Sequence, residues 1–183
     1  MLESDLREVI CSYKEALDRE EPCASRLITA LNNIENYSQE SDLLEFQKEY
    51  TRLCHASKPR LLPLFESVYR EGKLLQESTV EVARLYYQAG LELAESFSLP
   101  PDHISLELEF MAYLCSQEVE AIREKNSVVL DKAKKLQKEM LTEHLKIFVP
   151  AFAERLQKHT KLEFYKAAGS LLEAFIDWEL SCL

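Results

Sequence analysis

The tightest grouping of reactive side chains in the sequence is Asp102-His103-x-Ser105, a carboxylate, an imidazole and a hydroxyl within four positions. These types would make a nucleophilic relay if each passed its hydrogen bond to the next beside a set of oxyanion donors. Neighbouring residues at a helix start diverge in direction, however, and no G-x-S-x-G elbow supplies such donors. The same residues read more simply as a helix start. Pro100 and Pro101 fix φ, remove two amide donors and push the residues before them out of the helical region. Asp102 then stands at the N-cap, where its carboxylate accepts from first-turn amides and meets the positive end of the helix dipole. Exposed beside a forced break, it would be free to hold a cation. His103 is a first-turn residue expected to titrate near neutral.

Other chemistries have less behind them. The glycines are the isolated Gly72, Gly90 and Gly169, so neither G-x-x-x-x-G-K-[ST] nor G-x-G-x-x-G can be built. There is no H-E-x-x-H, Cys54 and His55 are adjacent, and His144 and His159 are too far apart to share one helix face. Cys11, Cys23, Cys54, Cys115 and Cys182 are odd in number, contain no C-x-x-C pair, and read as reduced thiols. No enzyme, no cofactor and no metal site is expected.

These residues sit in a chain that reads as helix almost throughout. Its 183 residues are 46% hydrophobic and 30% charged, with three Gly and six Pro, a balance that argues for an all-α fold with a real core. The formal charge of −10 disfavours nucleic acid and anionic lipid and favours a basic partner. The start Met1-Leu2-Glu3-Ser4-Asp5 has no basic region followed by an apolar one, and no apolar run nears the ~18 to 20 residues of a membrane span. A cytoplasmic protein with no stable membrane insertion is expected.

Leu2, Leu6, Val9, Ile10, Tyr13, Ala16 and Leu17 recur at helical spacing, and Pro22 closes that segment. A second helix carries Leu27, Ile28, Leu31 and Ile34; a third carries Leu43, Leu44, Phe46, Tyr50, Leu53 and Cys54. Between Lys58 and Leu75 the period is lost around Pro59, Pro63 and Gly72, which reads as a long packed connection. Ser78-Thr79-Val80-Glu81 is a capping box, with Ser78 as N-cap of a helix expected to run through Leu93 to about Ser96. After the proline break, Ile104, Leu108, Met111, Cys115, Val119 and Ile122 give a long helix that stops near Asn126. An amphipathic helix spans Val128 to Ile147, a fresh one starts at Pro150, and a last one carries Leu162 to Leu180.

Leu99-Pro100-Pro101-Asp102-His103-Ile104, with Glu107, Leu108, Phe110, Met111 and Leu114 behind it, closely resembles the E-P-x-D-H-I hinge of the TorD-like family. These are cytoplasmic chaperones of molybdoenzyme maturation, a group that also includes DmsD and, more distantly, NarJ. Ser67-Val68-Tyr69-x-x-Gly72, followed by Tyr86-x-x-x-Gly90, is similar to the family's S-V-Y/W connection and the helix after it. His144-Leu145-x-x-Phe148-Val149-Pro150-x-Phe152 is similar to its H-L-x-x-W-x-P-x-F segment. Leu99 stands where the motif has Glu, and Phe148 where Trp is common.

The resemblance implies one all-helical domain over residues 1–183, with an N-terminal part to about 97, a hinge at about 98–103 and a C-terminal part from about 104. It further implies a monomer or a homodimer that exchanges halves. The implied work is to bind the twin-arginine signal peptide, or the apo form, of a molybdopterin-containing oxidoreductase and to assist its cofactor insertion before export. A leader of that kind needs carboxylates for its guanidinium groups and an apolar groove for the rest. Ser67, Tyr69, Tyr86, Pro101, Asp102 and His103 are the candidate binding residues, with Ser67, Tyr69, Asp102 and His103 expected to line one groove. The reading from a different class is a helical protein–protein adaptor unconnected with export.

Overall fold

The computed structural model describes residues 10–12, 14–15, 17, 22–37, 43–56, 58–92 and 98–183. The described elements are helical, as the composition requires, and the one extended pairing is the isolated antiparallel bridge between Phe65 and His103. Eight helices are numbered here in chain order: α1 Pro22–Tyr37, α2 Leu43–Thr51, α3 Glu66–Arg70, α4 Glu77–Gln88, α5 Ile104–Glu124, α6 Ser127–Glu139, α7 Lys146–His159 and α8 Glu163–Ser181. Arg52–Ala56 extends α2 as a π-helical turn, and Met140–Leu145 joins α6 to α7 in the same way. Among the described residues, no helix is long and apolar enough to cross a membrane.

Contacts divide the chain into two compact units, residues 1–62 with 149–183, and residues 63–148. The hinge loop 98–103 therefore lies inside the second unit, with both of its flanks.

In the first unit α1 packs on α8. Leu27, Leu31 and Ile34 join Ile10 and Leu17 in a core that Ala24, Ala30, Ala167 and Ala174 keep thin, with Phe164, Leu171, Phe175 and Trp178 closing its edge. Gly169 is small because it must be: a Cβ there would meet Gln157 Cγ at 3.1 Å and the Ala153 carbonyl oxygen at 3.3 Å. Of the expected first-helix stripe, Leu2, Leu6, Val9, Tyr13 and Ala16 lie outside the described residues. Pro22 opens α1 rather than closing the preceding segment, the position where a missing amide costs a helix nothing. Leu53 and Cys54 are buried as expected, whereas Leu43, Leu44 and Tyr50 face solvent.

A buried ion pair fastens α2 to the α7–α8 corner. Glu49 accepts from Arg52 Nε and Nη2, both at 2.7 Å, from Thr160 Oγ1 at 3.0 Å and from the Lys161 amide at 2.6 Å. Arg52 also donates to the His159 carbonyl at 2.6 Å. The Arg52 guanidinium and the donors from Lys161 and Thr160 hold the Glu49 carboxyl down at about 2 against the opposition of burial.

In the second unit α5 and α6 pack on each other through Phe110, Met111, Leu114, Ala121, Ala133 and Leu136, with Val82 and Leu85 of α4 adding to the buried set. Lys125 takes the left-handed conformation that ends α5, and Asn126, expected as a stop, caps α6 by accepting the Val129 amide at 3.2 Å. The stripe expected along α5 is rotated: Val119 and Ile122 are exposed, Cys115 likewise, and the buried face runs through Ile104, Glu107, Phe110, Met111 and Leu114.

Three boundaries differ from expectation for local reasons. Helix α4 begins at Glu77, so Ser78 is not its N-cap; Glu71 from the preceding turn accepts both the Ser78 amide at 3.2 Å and its hydroxyl at 3.0 Å. The same helix ends at Gln88, because Gly90 at φ +85° closes it with Gly90 N–H to Tyr87 O and Leu91 N–H to Tyr86 O, both 2.9 Å. Leu93 and Ser96, where it was expected to continue, lie outside the described residues. Helix α7 starts at Lys146, and Pro150 lies inside it.

The Glu49 pairing has a pH signature. A carboxyl lowered from 4.5 to about 2 stabilises the fold fully above about pH 4.5, and that stabilisation is lost as pH falls toward 2. Urea unfolding of Glu49→Gln should show a loss of about 1.5–3 kcal/mol at neutral pH, shrinking as the pH is lowered through that window; a loss that stays constant with pH would contradict it.

Candidate functional site

The two prolines break the helix as their chemistry requires, but the cap is His103 and not Asp102. His103 Nδ1 accepts the Ser105 amide at 3.2 Å and lies 2.7 Å from Ser105 Oγ. An amide can only donate, so Nδ1 presents its lone pair and the ring is neutral with its proton on Nε2. Burial lowers the His103 pKa below its ordinary value, with the Asp102 charge opposing. The His103 ring stands edge-on to Phe65, centroids 5.1 Å apart.

Asp102, expected exposed, is fully buried. Its Oδ2 accepts the Ser67 amide at 2.9 Å, which makes it the distant cap of the short helix α3. Backbone bonds run alongside: Glu66 N–H to Asp102 O and Ile104 N–H to Leu64 O, both 2.9 Å. The loop after the prolines is thus stitched to residues 64–67 by its backbone and by one carboxylate. Tyr86 joins it from α4, its hydroxyl donating to the Pro101 carbonyl at 2.9 Å.

Beneath this stitch lie carboxyl groups that the sequence reading missed. Glu66 is fully buried, bound by Arg70 Nη1 at 2.8 Å and set 2.9 Å from His144 Nδ1. Glu107 is fully buried as well, and neither of its oxygens has a hydrogen-bond partner; Asp102 Oδ1 and Ser67 Oγ are equally unmet. Burial raises the Glu107 pKa well above the usual carboxylate range, the Glu66 and Asp102 charges add to this, and Arg70 opposes it. Burial without a donor therefore favours the protonated form of Glu107. The signal was its spacing, because 104, 107, 111 and 114 are one face of a helix. Among the described residues, no group of three or more His, Cys, Asp or Glu is placed to hold a metal ion.

Beside the stitch an apolar cleft of about 260 Å³ opens between α4 and α5, lined by Tyr86, Leu91, Leu106, Phe110 and Tyr113. Tyr86 and Phe110 pack ring to ring at 4.7 Å and form its inner wall. Glu92 and Glu109 stand at its rim, both exposed. A cleft of this kind offers hydrophobic burial to an apolar side-chain row and ion pairing to a cation next to it.

Of the six candidate residues, only Tyr86 lines this cleft. Ser67 and Asp102 are sealed inside, Pro101 and His103 belong to the stitched loop, and half-buried Tyr69 donates to the Pro63 carbonyl at 2.8 Å with its ring 5.9 Å from Phe148. Ser67 and Asp102, expected with Tyr69 and His103 to line one groove, are fully buried, and Asp102 Oδ2 is taken up by the Ser67 amide, so these two do not face a groove. They position the loop instead.

A carboxyl with a raised folded pKa weakens the fold as pH rises above the ordinary 4.5, since the unfolded chain ionises and the folded one does not. Glu107→Gln should match wild type near pH 4.5 and gain on it with rising pH, by up to about 1.4 kcal/mol per unit. Parallel pH profiles in urea unfolding would show that Glu107 is ionised in the fold.

Comparison with known proteins agrees with the motifs. The family model for the nitrate reductase delta subunit matches residues 20–154. The chaperone protein TorD of Vibrio cholerae serotype O1 is 29% identical over 172 residues, covering 93% of this chain and 74% of that protein. The selenate reductase assembly chaperone of Thauera selenatis is 32% identical over 96 residues, 51% of this chain and 49% of its own. The chlorate reductase assembly chaperone of Ideonella dechloratans is 30% identical over 114 residues, 61% of this chain and 58% of its own. With most of its length under the family model and its hinge, connection and C-terminal motifs in order, the chain belongs to the nitrate reductase delta subunit family, that of the TorD-like proteins.

Proposed function

We propose that this protein is a cytoplasmic assembly chaperone for a molybdopterin-containing oxidoreductase, binding the enzyme's twin-arginine signal peptide or apo form before cofactor insertion and export. Its work is binding, with no reaction of its own. The observation that carries the reading is the apolar cleft of Tyr86, Leu106, Phe110 and Tyr113 rimmed by Glu92 and Glu109, in a chain whose relatives are named as chaperones, two of them for the assembly of a reductase. An arginine pair followed by a modest apolar stretch is complementary to that layout: guanidinium groups at the rim carboxylates, apolar side chains on the aromatic wall.

The remaining candidate residues act at one remove. Asp102, Ser67, His103 and Pro101 hold the loop to which Tyr86 is bonded, and Tyr69 holds the connection that carries Ser67. The net charge of −10 adds long-range attraction for a basic segment.

Titration calorimetry with a synthetic peptide of two arginines and an apolar run tests this. Glu92→Gln with Glu109→Gln should weaken binding about tenfold and flatten its salt dependence, since exposed charges are screened over about 8–10 Å. Unchanged affinity and unchanged salt dependence would remove the cleft from the peptide site.

A further inference from the structure

We propose that the loop of residues 98–103 is a proton-released latch, which lifts from residues 64–67 when buried Glu107 ionises and frees the Tyr86 wall of the cleft. The inference rests on the reading of that cleft as the client site for its purpose, though not for its test.

The latch is built from few bonds. Two backbone bonds, Glu66 N–H to Asp102 O and Ile104 N–H to Leu64 O, and one side-chain bond, Ser67 N–H to Asp102 Oδ2, join the strips, each at 2.9 Å. The Tyr86 hydroxyl, on the Pro101 carbonyl at 2.9 Å, ties the cleft wall to the same loop. Lifting the loop leaves Tyr86 without that partner and free to swing from Phe110.

The groups under the latch are poorly satisfied. Both Glu107 oxygens, Asp102 Oδ1 and Ser67 Oγ are buried with no partner, and such deficits are rare in stable interiors because opening to water would meet every one of them. The charged and titratable groups that bear on Glu107 are the Glu66 and Asp102 carboxylates and the Arg70 guanidinium, with the Tyr86 phenol above. His144 reaches the set through Glu66, and neutral His103 sits on the loop itself. Neutral Glu107 is tolerated there. Ionised, it would be a third carboxylate against one guanidinium in a water-free place, and hydration by loop opening is the relief the geometry allows. The proton passes to solvent.

Other features carry less. The polar cavity of about 350 Å³ beside Arg70, Arg84 and His144 is lined by Glu81, Glu139 and Glu143 as well, so its charges do not select a ligand. The exposed apolar residues of α2 and α5 have nothing to indicate what covers them.

Native-state hydrogen exchange of the free protein tests the latch. After correction for intrinsic rates, opening at the amides of Glu66, Ser67 and Ile104 should rise with pH above the ordinary carboxyl value of 4.5, by up to about tenfold per unit, and level off where the folded Glu107 titrates. In Glu107→Gln it should stay within about twofold. Asp102→Asn, which keeps an acceptor for Ser67 but removes one facing charge, should level off at lower pH, because the Asp102 charge raises the Glu107 pKa and its removal lowers it. This variant serves if Glu107→Gln does not fold. A wild-type opening that ignores pH, or the same rise in Glu107→Gln, or an Asp102→Asn levelling-off that does not move, overturns the latch. Because this readout uses no client, failure of the arginine peptide to bind would count against the cleft alone.

Discussion

Two adjacent prolines leave the segment before Asp102 with no amide to give to a helix, and the second unit is arranged around that deprivation. A loop that cannot satisfy its polar groups locally must find partners elsewhere in the chain. It finds them in residues 64–67, which present amides at Glu66 and Ser67 and a carbonyl at Leu64. The exchange is reciprocal: Asp102 caps a five-residue helix too short to stand by itself, and that helix in return fixes the loop from which α5 starts.

Two buried carboxyl groups, Glu49 in the first unit and Glu107 in the second, stand in opposite surroundings. Glu49 receives four donors and has its pKa driven down, so its charge is an asset to the fold. Glu107 receives none, and its pKa is pushed up because nothing is arranged to stabilise the anion. A group kept neutral by burial weakens the structure around it whenever the solvent favours ionisation. That weakness falls on a loop held by few bonds, beside the cleft of Tyr86 and Phe110.

The sequence made some of this legible. The hinge could be located because proline stereochemistry is local, and the all-α class because composition and 3.6-residue periodicity agree over most of the chain. Gly90 as the stop of α4 is equally local, an isolated glycine after an apolar stripe. The partners were not legible. Ser67 lies 35 positions from Asp102, and Glu66 lies 78 from His144, so each pairing is a product of tertiary packing. The burial of Glu107 fell between these cases: its place on the face of Ile104, Met111 and Leu114 pointed inward, and its charge argued outward until the fold decided. Asp102 misled because a residue after a break reads as a cap for the helix beyond it, whereas here it caps one that came 35 positions earlier.

The claim that everything else leans on is that a carboxylic acid stays neutral beneath the stitched loop. Infrared difference spectroscopy sees this directly, because the carbonyl stretch of a neutral acid is separated from the carboxylate bands. At neutral pH the wild-type protein should show such a band, absent from Glu107→Gln. A wild-type spectrum containing only carboxylate bands would contradict the account.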